Sequence, residues 1–107
     1  MNELGYHLAA LDRLIHEPAR LSILTALASC QSADFTSLQR LTHLTGGNLS
    51  SHLAKLDEAD FIVVEKSFVD RRPNTRVSIT PQGREAVRRH WQQLEALRRE
   101  AEGGGIE

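Results

Sequence analysis

The chain has 107 residues, of which 40% are hydrophobic and 25% charged, and its formal net charge is -1 at pH 7. This composition predicts one globular domain over residues 1–107, with no apolar run near the roughly 20 residues of a membrane span and no signal-peptide pattern. We therefore expect a cytoplasmic protein. The single cysteine, Cys30, excludes an internal disulfide and a cysteine-rich metal site, and its apolar surroundings predict a small core residue.

The distribution of charge is more informative than the total. Residues 1–64 contain four Lys or Arg against seven Asp or Glu, whereas residues 66–76 contain four Lys or Arg against Asp70 alone. Salt screens charges beyond about 8 to 10 Å, so a local positive patch is enough to bind phosphate on a slightly acidic protein.

Two helices are predicted at the N-terminal end. Leucine and isoleucine recur at three- and four-residue spacing over residues 3–16, the pattern of an amphipathic helix. Pro18 suits the first turn of a second helix that runs to about Ser29. Apolar residues go most of the way round this second helix, so we expect it in the middle of the core.

Two capping signals predict a pair of helices joined by a short turn. Residues 36–39 form a capping box that predicts a helix over residues 37–44, and Thr45 caps the next helix. Gly46 and Gly47 leave the free N–H groups at the start of this next helix accessible to a phosphate. The pair predicts a helix-turn-helix, whose second helix enters the major groove of DNA.

The helix from Thr45 to Leu56 has two different faces. Leucines share one narrow arc, while the opposite arc carries hydrogen-bonding groups of both kinds, one cation and little bulk. Such a surface suits the reading of base edges, whereas an ordinary solvated face more often carries Glu and Lys pairs. The polar residues of this arc are Asn48, Ser51, His52 and Lys55.

The pattern then changes to a hairpin. Residues 61–69 predict one strand, and residues 76–79 alternate polar and apolar as a partner strand would. The connection over residues 70–75 has turn chemistry, with Arg71 and Arg72 at its tip. A hairpin with a basic tip beside a helix-turn-helix is a wing.

Thr80 and Pro81 predict a last helix that continues to about Glu102 and is followed by a flexible tail over residues 103–107. At about 30 Å this helix is too long to pack wholly on so small a domain. The fold class is therefore mainly α with a small β-hairpin (α+β), a winged helix-turn-helix with dimerisation helices at residues 3–16 and 81–102. The apolar residues assigned to the dimer interface are Leu4, Leu8, Leu11, Val87, Trp91, Leu94 and Leu97.

Roughly residues 16–90 resemble the winged-helix transcriptional regulators of the MarR and ArsR type, in particular the small branch that is little more than the winged helix plus dimerisation helices. The resemblance is carried by GNLSSHLAKLDEA at residues 47–59, KSF at 66–68, RRPNTR at 71–76 and TPQGR at 80–84. It implies a homodimeric, sequence-specific DNA-binding regulator, usually a repressor. We expect neither an enzymatic activity nor a cofactor.

The resemblance also assigns roles by position. Base-reading residues fall on Asn48, Ser50 and Ser51, phosphate contacts on His52 and Lys55, and wing contacts on Arg71, Arg72 and Arg76. A two-fold dimer predicts an operator that is an imperfect palindrome. Asp60 replaces the usual glycine before the strand, so we expect a slightly different turn, and the cysteine motif of the metal-sensing ArsR members is absent.

Other functions stay open at this point. The main alternative is a winged helix used for protein contacts without DNA binding, because fold does not fix function and the net charge is mildly acidic. Ser51, His52 and Asp57 have the letters of a catalytic triad, but neighbours on a helix point about 100° apart. The five histidines share no i, i+3 or i+4 spacing, so we do not expect a metal site. A small-molecule effector between the terminal helices and the winged domain is also left open.

Overall fold

The computed structural model describes Gly5 and residues 11–103. In this part of the chain three strands form one antiparallel sheet in the order β1-β3-β2, and the helices pack around a common core. None of the described helices combines the length and hydropathy needed to cross a bilayer. The elements are α1 (Pro18–Ala28), β1 (Ala33–Asp34), α2 (Phe35–Thr42), α3 (Gly46–Glu58), β2 (Ile62–Val69), β3 (Arg72–Ile79) and α4 (Pro81–Glu102).

Helix α1 lies in the centre of the core, as predicted. Pro18 occupies its first turn, and the N–H of Arg20 donates to the carboxylate of Glu17, the N-terminal cap, at 2.8 Å. The buried side chains of the helix are Ile23, Leu24 and Leu27. The prediction for Cys30 is wrong, because this residue lies beyond the end of α1 and is exposed.

The predicted helix over residues 3–16 does not continue to residue 16. Residues 11–16 form turns and bends, in which the carboxylate of Asp12 accepts a hydrogen bond from the N–H of Leu14 at 2.9 Å. Pro18 holds Glu17 in an extended conformation, which separates this segment from α1. Ile15 is buried in the core, and residues 3–10 other than Gly5 lie outside the described residues.

Helix α2 begins two residues before the predicted start. Asp34, not Thr36, is its cap, and the Asp34 carboxylate accepts a hydrogen bond from the N–H of Ser37 at 2.7 Å. This hydrogen bond, together with one from the Ser37 side chain, lowers the pKa of Asp34. Asp34 also lies in β1, a strand that the sequence did not predict, since a two-residue strand has no periodicity to detect.

The turn of the helix-turn-helix consists of three residues. His43 ends α2 in the left-handed region, at φ 57°, and its N–H donates to the carbonyl of Gln39 at 2.9 Å. Thr45 caps α3 as predicted, because its hydroxyl accepts a hydrogen bond from the N–H of Asn48 at 3.1 Å. The connection is thus closed by a cap on each side.

The hairpin has a shorter turn and a longer second strand than predicted. Val69 pairs with Arg72, so the loop consists of Asp70 and Arg71 alone, at φ 51° and 65°. Two successive positive φ values are those of a type I′ turn, which matches the twist of a hairpin. Val69 and Arg72 flank the turn and form a hydrogen-bonded pair, and such pairs alternate with pairs that have no ladder hydrogen bonds. Pro73 and Phe68 form the next pair, so the missing N–H of proline costs no ladder bond.

Helix α3 ends in a closed turn at Asp60, which adopts φ 63°. The N–H of Phe61 donates to the carbonyl of Leu56 at 3.0 Å, and the N–H of Asp60 donates to the carbonyl of Asp57 at 3.0 Å. These two bonds form the Schellman motif that usually has glycine at the position of Asp60. The positive φ is therefore kept in spite of the substitution.

The base of the hairpin is tied to the start of α4. The N–H of Thr80 donates to the carbonyl of Phe61 at 3.0 Å, and the Thr80 hydroxyl accepts from the N–H of Gly83 at 3.0 Å. A Cβ atom at Gly83 would stand 2.2 Å from the same Phe61 carbonyl oxygen. The predicted start and end of α4 are both confirmed.

Candidate nucleic-acid interface

Helix α3 places its polar residues on the outside of the domain. Leu49, Leu53 and Leu56 are at most 5% exposed and fix the inner face against the core. The outer positions include small side chains and one cation, so the backbone of α3 can approach a flat or convex partner closely. The exposed residues of this outer face that the sequence assigned to DNA are Asn48, Ser50, Ser51 and Lys55.

The first turn of α3 is open as well. Gly47 has no atom within 4 Å of the place where a Cβ would stand, and both Thr45 and Gly47 are exposed. The N–H groups in the first turn of a helix carry partial positive charge, which favours an anion such as a phosphate. The end of α3 that faces the turn thus meets the geometric condition for a phosphate contact.

A cleft separates α3 from the wing. It has a volume of about 690 Å³ and is lined by Ser50, Ala54 and Asp57 of the helix and by Lys66 and Thr75 of the two strands. Lys66 and Thr75 are opposite each other in the hairpin, so they belong to the same sheet face. This face of the wing therefore looks toward the flank of α3 that carries Ser50 and Ala54.

The wing tip carries both predicted arginines. Arg71 lies in the two-residue turn, Arg72 is the first residue of β3, and both are exposed. The tip also exposes two apolar side chains that the sequence analysis did not assign to the site, Phe68 at 76% and Val69 at 53%. The strand prediction could have found them, because apolar residues near a hairpin turn lie beyond the reach of the core.

His52 has a different environment from the one predicted. Its Nδ1 atom lies 3.2 Å from the guanidinium of Arg20 and 3.7 Å from the carboxylate of Glu17, so the ring is half-buried against α1. Burial raises the pKa of Glu17, but the hydrogen bonds from the N–H groups of Arg20 and Ala19 and the nearby charge of His52 outweigh it and leave that pKa lowered. His52 therefore lies at the flank of α3 and not on its outer arc.

Arg76 is also engaged within the domain. Its Nε and Nη2 atoms donate to the hydroxyl of Ser32 at 3.1 and 2.8 Å, and it pairs in register with Asp34 of β1 and with Glu65 of β2. The pairing with Glu65 puts Arg76 on the sheet face opposite to Lys66. Arg76 thus ties the hairpin to the segment before β1, and its assignment to a wing contact stays a prediction.

The residues assigned to a dimer interface divide into three groups. Leu4 and Leu8 lie outside the described residues, and Val87, at 4% exposed, is a core residue of the chain itself, so its assignment to an uncovered stripe is wrong. Val87 is taken into the core because the first turns of α4 pack on α1. Leu11, Leu94 and Leu97 are half-buried, and Trp91 is exposed.

Trp91 borders an open apolar groove that is lined by residues of α1 and α2. Its indole Nε1 donates to the hydroxyl of Thr25 at 3.3 Å, while 48% of the residue stays exposed. Leu21 of α1 and Leu41 of α2 line the same groove, which has a volume of about 850 Å³. The exposed part of the predicted stripe thus begins at Trp91.

Two histidines meet beneath α4. Nδ1 of His16 lies 3.3 Å from Nε2 of His90, which is buried, and Nδ1 of His90 has no hydrogen-bond partner. Burial and, to a smaller extent, the positive charge that His16 can carry lower the pKa of His90. In the described part of the chain no three His, Cys, Asp or Glu side chains are grouped closely enough to hold a metal ion.

Comparison with known proteins agrees with this architecture. Residues 19–97 match the model of a family described as the winged helix DNA-binding domain. The structure of a transcriptional regulator homologue from Pyrococcus horikoshii is similar with a TM-score of 0.80 and 32% identity, over 92% of this chain and 96% of that one. An uncharacterised protein of Methanocaldococcus jannaschii is 31% identical over 90 residues, which are 84% of this chain and 98% of the relative.

A more distant structure shows the same fold. A transcriptional regulator of the MarR family from Silicibacter pomeroyi superposes with a TM-score of 0.64 at 23% identity, over 98% of this chain and 67% of that regulator. At this identity the similarity concerns the fold alone. The winged helix-turn-helix expected from the resemblance to the MarR type is confirmed.

Proposed function

The chain belongs to the family of winged helix DNA-binding domains, and on that premise we propose that it is a sequence-specific transcriptional regulator that acts as a homodimeric repressor on a palindromic operator. The observation that carries the proposal is the outer face of α3. Asn48, Ser50 and Ser51 are exposed there on a helix whose other side is held by buried leucines. A fixed helix that presents small hydrogen-bonding side chains is the arrangement that reads base edges in the major groove.

Within this surface the residues have different tasks. The side-chain amide of Asn48 offers a donor and an acceptor together, the combination that pairs with adenine, whereas Ser50 and Ser51 bond to any base. Lys55 supplies charge near the phosphate backbone. Asn48 therefore carries most of the base preference that we propose for α3.

The wing adds affinity with little sequence choice. Arg71 and Arg72 are exposed at the tip, and the type I′ turn fixes the backbone between them and the strands. Guanidinium groups bind phosphates and the minor groove without reading a unique base pattern. His52 and Arg76 were predicted to contact DNA as well, but their contacts to Arg20 and Ser32 give them a structural role in our proposal.

We propose that the two chains of the homodimer meet through α4. Trp91, Leu94 and Leu97 follow one another along α4 beyond its buried first turns, and none of the three is fully covered. A two-fold axis would place two copies of α3 at half-sites about one helical turn of DNA apart. A regulator of chromosomal DNA works where that DNA lies, so we propose a cytoplasmic location, and we propose neither an enzymatic activity nor a cofactor.

Selection of bound sequences from a random duplex pool tests the proposal. The native chain should enrich an imperfect palindrome, and its affinity for the enriched duplex should fall steeply between 50 and 200 mM salt because bound counterions are released from the phosphates (roughly 10³-fold for six or more contacts). Enrichment of no sequence, or binding that does not change with salt, would favour the alternative of a winged helix that contacts only proteins.

A further inference from the structure

We propose that Phe68 is a DNA contact of the wing: its ring enters the minor groove next to the major groove that α3 occupies and packs against the deoxyribose walls. The inference rests on the proposed function and goes beyond the charged contacts assigned to Arg71 and Arg72. It names an apolar contribution at the tip of the wing, from a residue that neither the charge pattern nor the helix-turn-helix singles out.

The first observation is the exposure of Phe68. Phenylalanine has a large hydrophobic side chain, yet 76% of Phe68 is in contact with solvent. The pair that it forms with Pro73 is the last one before the turn pair, so Phe68 and Pro73 make a small apolar surface at the end of the arm. The core begins four residues further back, at Val64 and Val77, and Phe68 takes no part in it.

The second observation is the direction of this surface. Side chains two residues apart on a strand share a face, so Phe68 lies on the same face as Lys66 and Val64. Both of these residues line the cleft toward α3. Val69 points to the opposite face, where it pairs with Arg72. The apolar surface of Phe68 is therefore turned toward the flank of α3, next to the surface on which we place the DNA.

The third observation is the reach of the arm. From Val64 to Phe68 the strand extends about 13 Å, at roughly 3.3 Å per residue. The minor groove lies half a helical turn, roughly 17 Å, from the centre of the adjacent major groove, and it is about 6 Å wide. An arm of this length, with its base beside α3, is long enough to bring Phe68 to the near edge of the minor groove.

The charges at the wing tip favour DNA over a protein partner with an apolar binding surface. Arg71 lies in the turn that follows the strand of Phe68, Arg72 begins β3 on the opposite sheet face, and both are exposed. Phosphates line both edges of the minor groove and the sugars form its walls, so cations next to an apolar ring match that groove. A second copy of this chain would bring a like-charged wing tip into contact, which is unfavourable.

Phe68→Ala and its matched control Val69→Ala test the inference on the duplex obtained by selection. Phe68→Ala should weaken binding about 10- to 100-fold, as expected for the loss of a buried aromatic side chain. The slope of affinity against salt should stay at the native value, because an apolar contact releases no counterion. Val69→Ala should change affinity less than about twofold, Phe68→Leu should recover most of the loss, and Arg71→Ala should lower the slope by about one.

Hydroxyl-radical footprinting provides a second readout, since the radical attacks deoxyribose from the minor groove. Phe68→Ala should lose protection only at the sugars about half a turn from the α3 contacts. Both alanine variants should unfold at the native temperature, because the side chains they remove are exposed.

Three results would each overturn the assignment in a distinguishable way. If the native chain shows no salt-dependent DNA binding, the proposed function fails and this inference fails with it. If the native chain binds DNA but Phe68→Ala has the native affinity and footprint, only the inference fails. If Phe68→Ala turns a native dimer into a monomer in sedimentation, the wing tip is a contact between copies of the chain.

Discussion

Nε2 of the buried His90 lies 3.3 Å from Nδ1 of His16. Two imidazoles at this distance share one hydrogen bond only while at least one of them is neutral, and Nδ1 of His90 has no other partner. Burial lowers the pKa of His90, the charge of His16 lowers it further, and Asp12 opposes the shift. The core is therefore built around an uncharged His90.

This arrangement predicts a loss of stability in mild acid. Above about pH 6.5 the His90 imidazole is neutral in both the folded and the unfolded chain. The stability that comes from burying the neutral imidazole is therefore fully present there. As the pH falls below this value, the unfolded chain takes up a proton that folded His90 resists, and the free energy of unfolding decreases. Urea unfolding at a series of pH values should show this decrease in the native chain.

His90→Leu should reduce that dependence, whereas His43→Gln, at an exposed histidine, should leave it unchanged. The carboxylates of Asp34 and Glu17 also have lowered pKa values, so the stability that they contribute is lost only in more strongly acidic solution than that in which histidine titrates. If the free energy of unfolding changed equally with pH in the native and the His90→Leu protein between pH 5 and 7, His90 would not be the group responsible.

Two glycines at helix starts should respond to alanine in opposite directions. A Cβ at Gly83 would stand 2.2 Å from the carbonyl oxygen of Phe61, so Gly83→Ala should destabilise the fold by about 1–3 kcal/mol or more. Gly47 has open space at this position, and alanine has the higher helix propensity, so Gly47→Ala should stabilise the fold by up to about 1 kcal/mol. Thermal unfolding of the two variants measures both changes.

Asp60 offers a second backbone test. It is held at φ 63° in the turn that ends α3, a conformation that costs less with glycine than with any residue carrying a Cβ. Asp60→Gly should therefore raise the free energy of unfolding by roughly 0.5–1 kcal/mol. Asp57 lies in the last turn of α3, where glycine disfavours the helix, so Asp57→Gly should lower the free energy of unfolding by a similar amount. Denaturant titration of the two variants gives the comparison.

Asn48→Ala should change the specificity of DNA binding. We expect a loss of roughly 1 to 3 kcal/mol on the selected duplex and a smaller loss on random DNA, because a base contact is removed and the phosphate contacts remain. Lys55→Ala should weaken both by the same factor. A repeated selection with Asn48→Ala that returned the native preference at every base would show that α3 does not read the sequence through this residue.

Leu94→Glu should separate the proposed dimer. Leu94 is half-buried on α4, and a charge placed in an apolar seam between two chains has no partner there. The variant should sediment as a monomer and bind the palindromic duplex more weakly, since two half-sites are no longer engaged together. Gln92→Glu introduces the same charge at an exposed position of the same helix and should have no such effect. A native chain that is monomeric at micromolar concentration would rule out this interface.

Most of the fold could be predicted from local signals. Pro18, Thr45, Thr80 and Pro81 each determine a helix start through one cap or ring, and the structure has all of them. These local signals did not predict elements whose position depends on a tertiary contact. Asp34 was overlooked as a cap because a capping box stood two residues later, and β1 exists only through its pairing with β3.

The candidate site divides in the same way. Exposure of Asn48 and Lys55 follows from helical periodicity, which the sequence contains. The contacts of His52 and Arg76 involve residues 32 and 44 positions away in the chain, and no periodicity encodes them. The sequence predicts too long a turn for the hairpin, because Arg72 and Pro73 are typical loop residues. In the structure both belong to β3, where proline is tolerated because it occupies a pair without ladder hydrogen bonds.

The N-terminal half of α4 is fixed to the rest of the domain. Thr80 and Gly83 join its start to Phe61, and the contacts of the helix with the core continue through buried His90 to Trp91. The remainder of the helix, residues 92–102, extends about 17 Å beyond these contacts. This extension keeps a fixed orientation relative to α3. If two such extensions are held together in a dimer, a small change in the angle between them moves the two α3 helices relative to each other and away from the spacing of the DNA grooves.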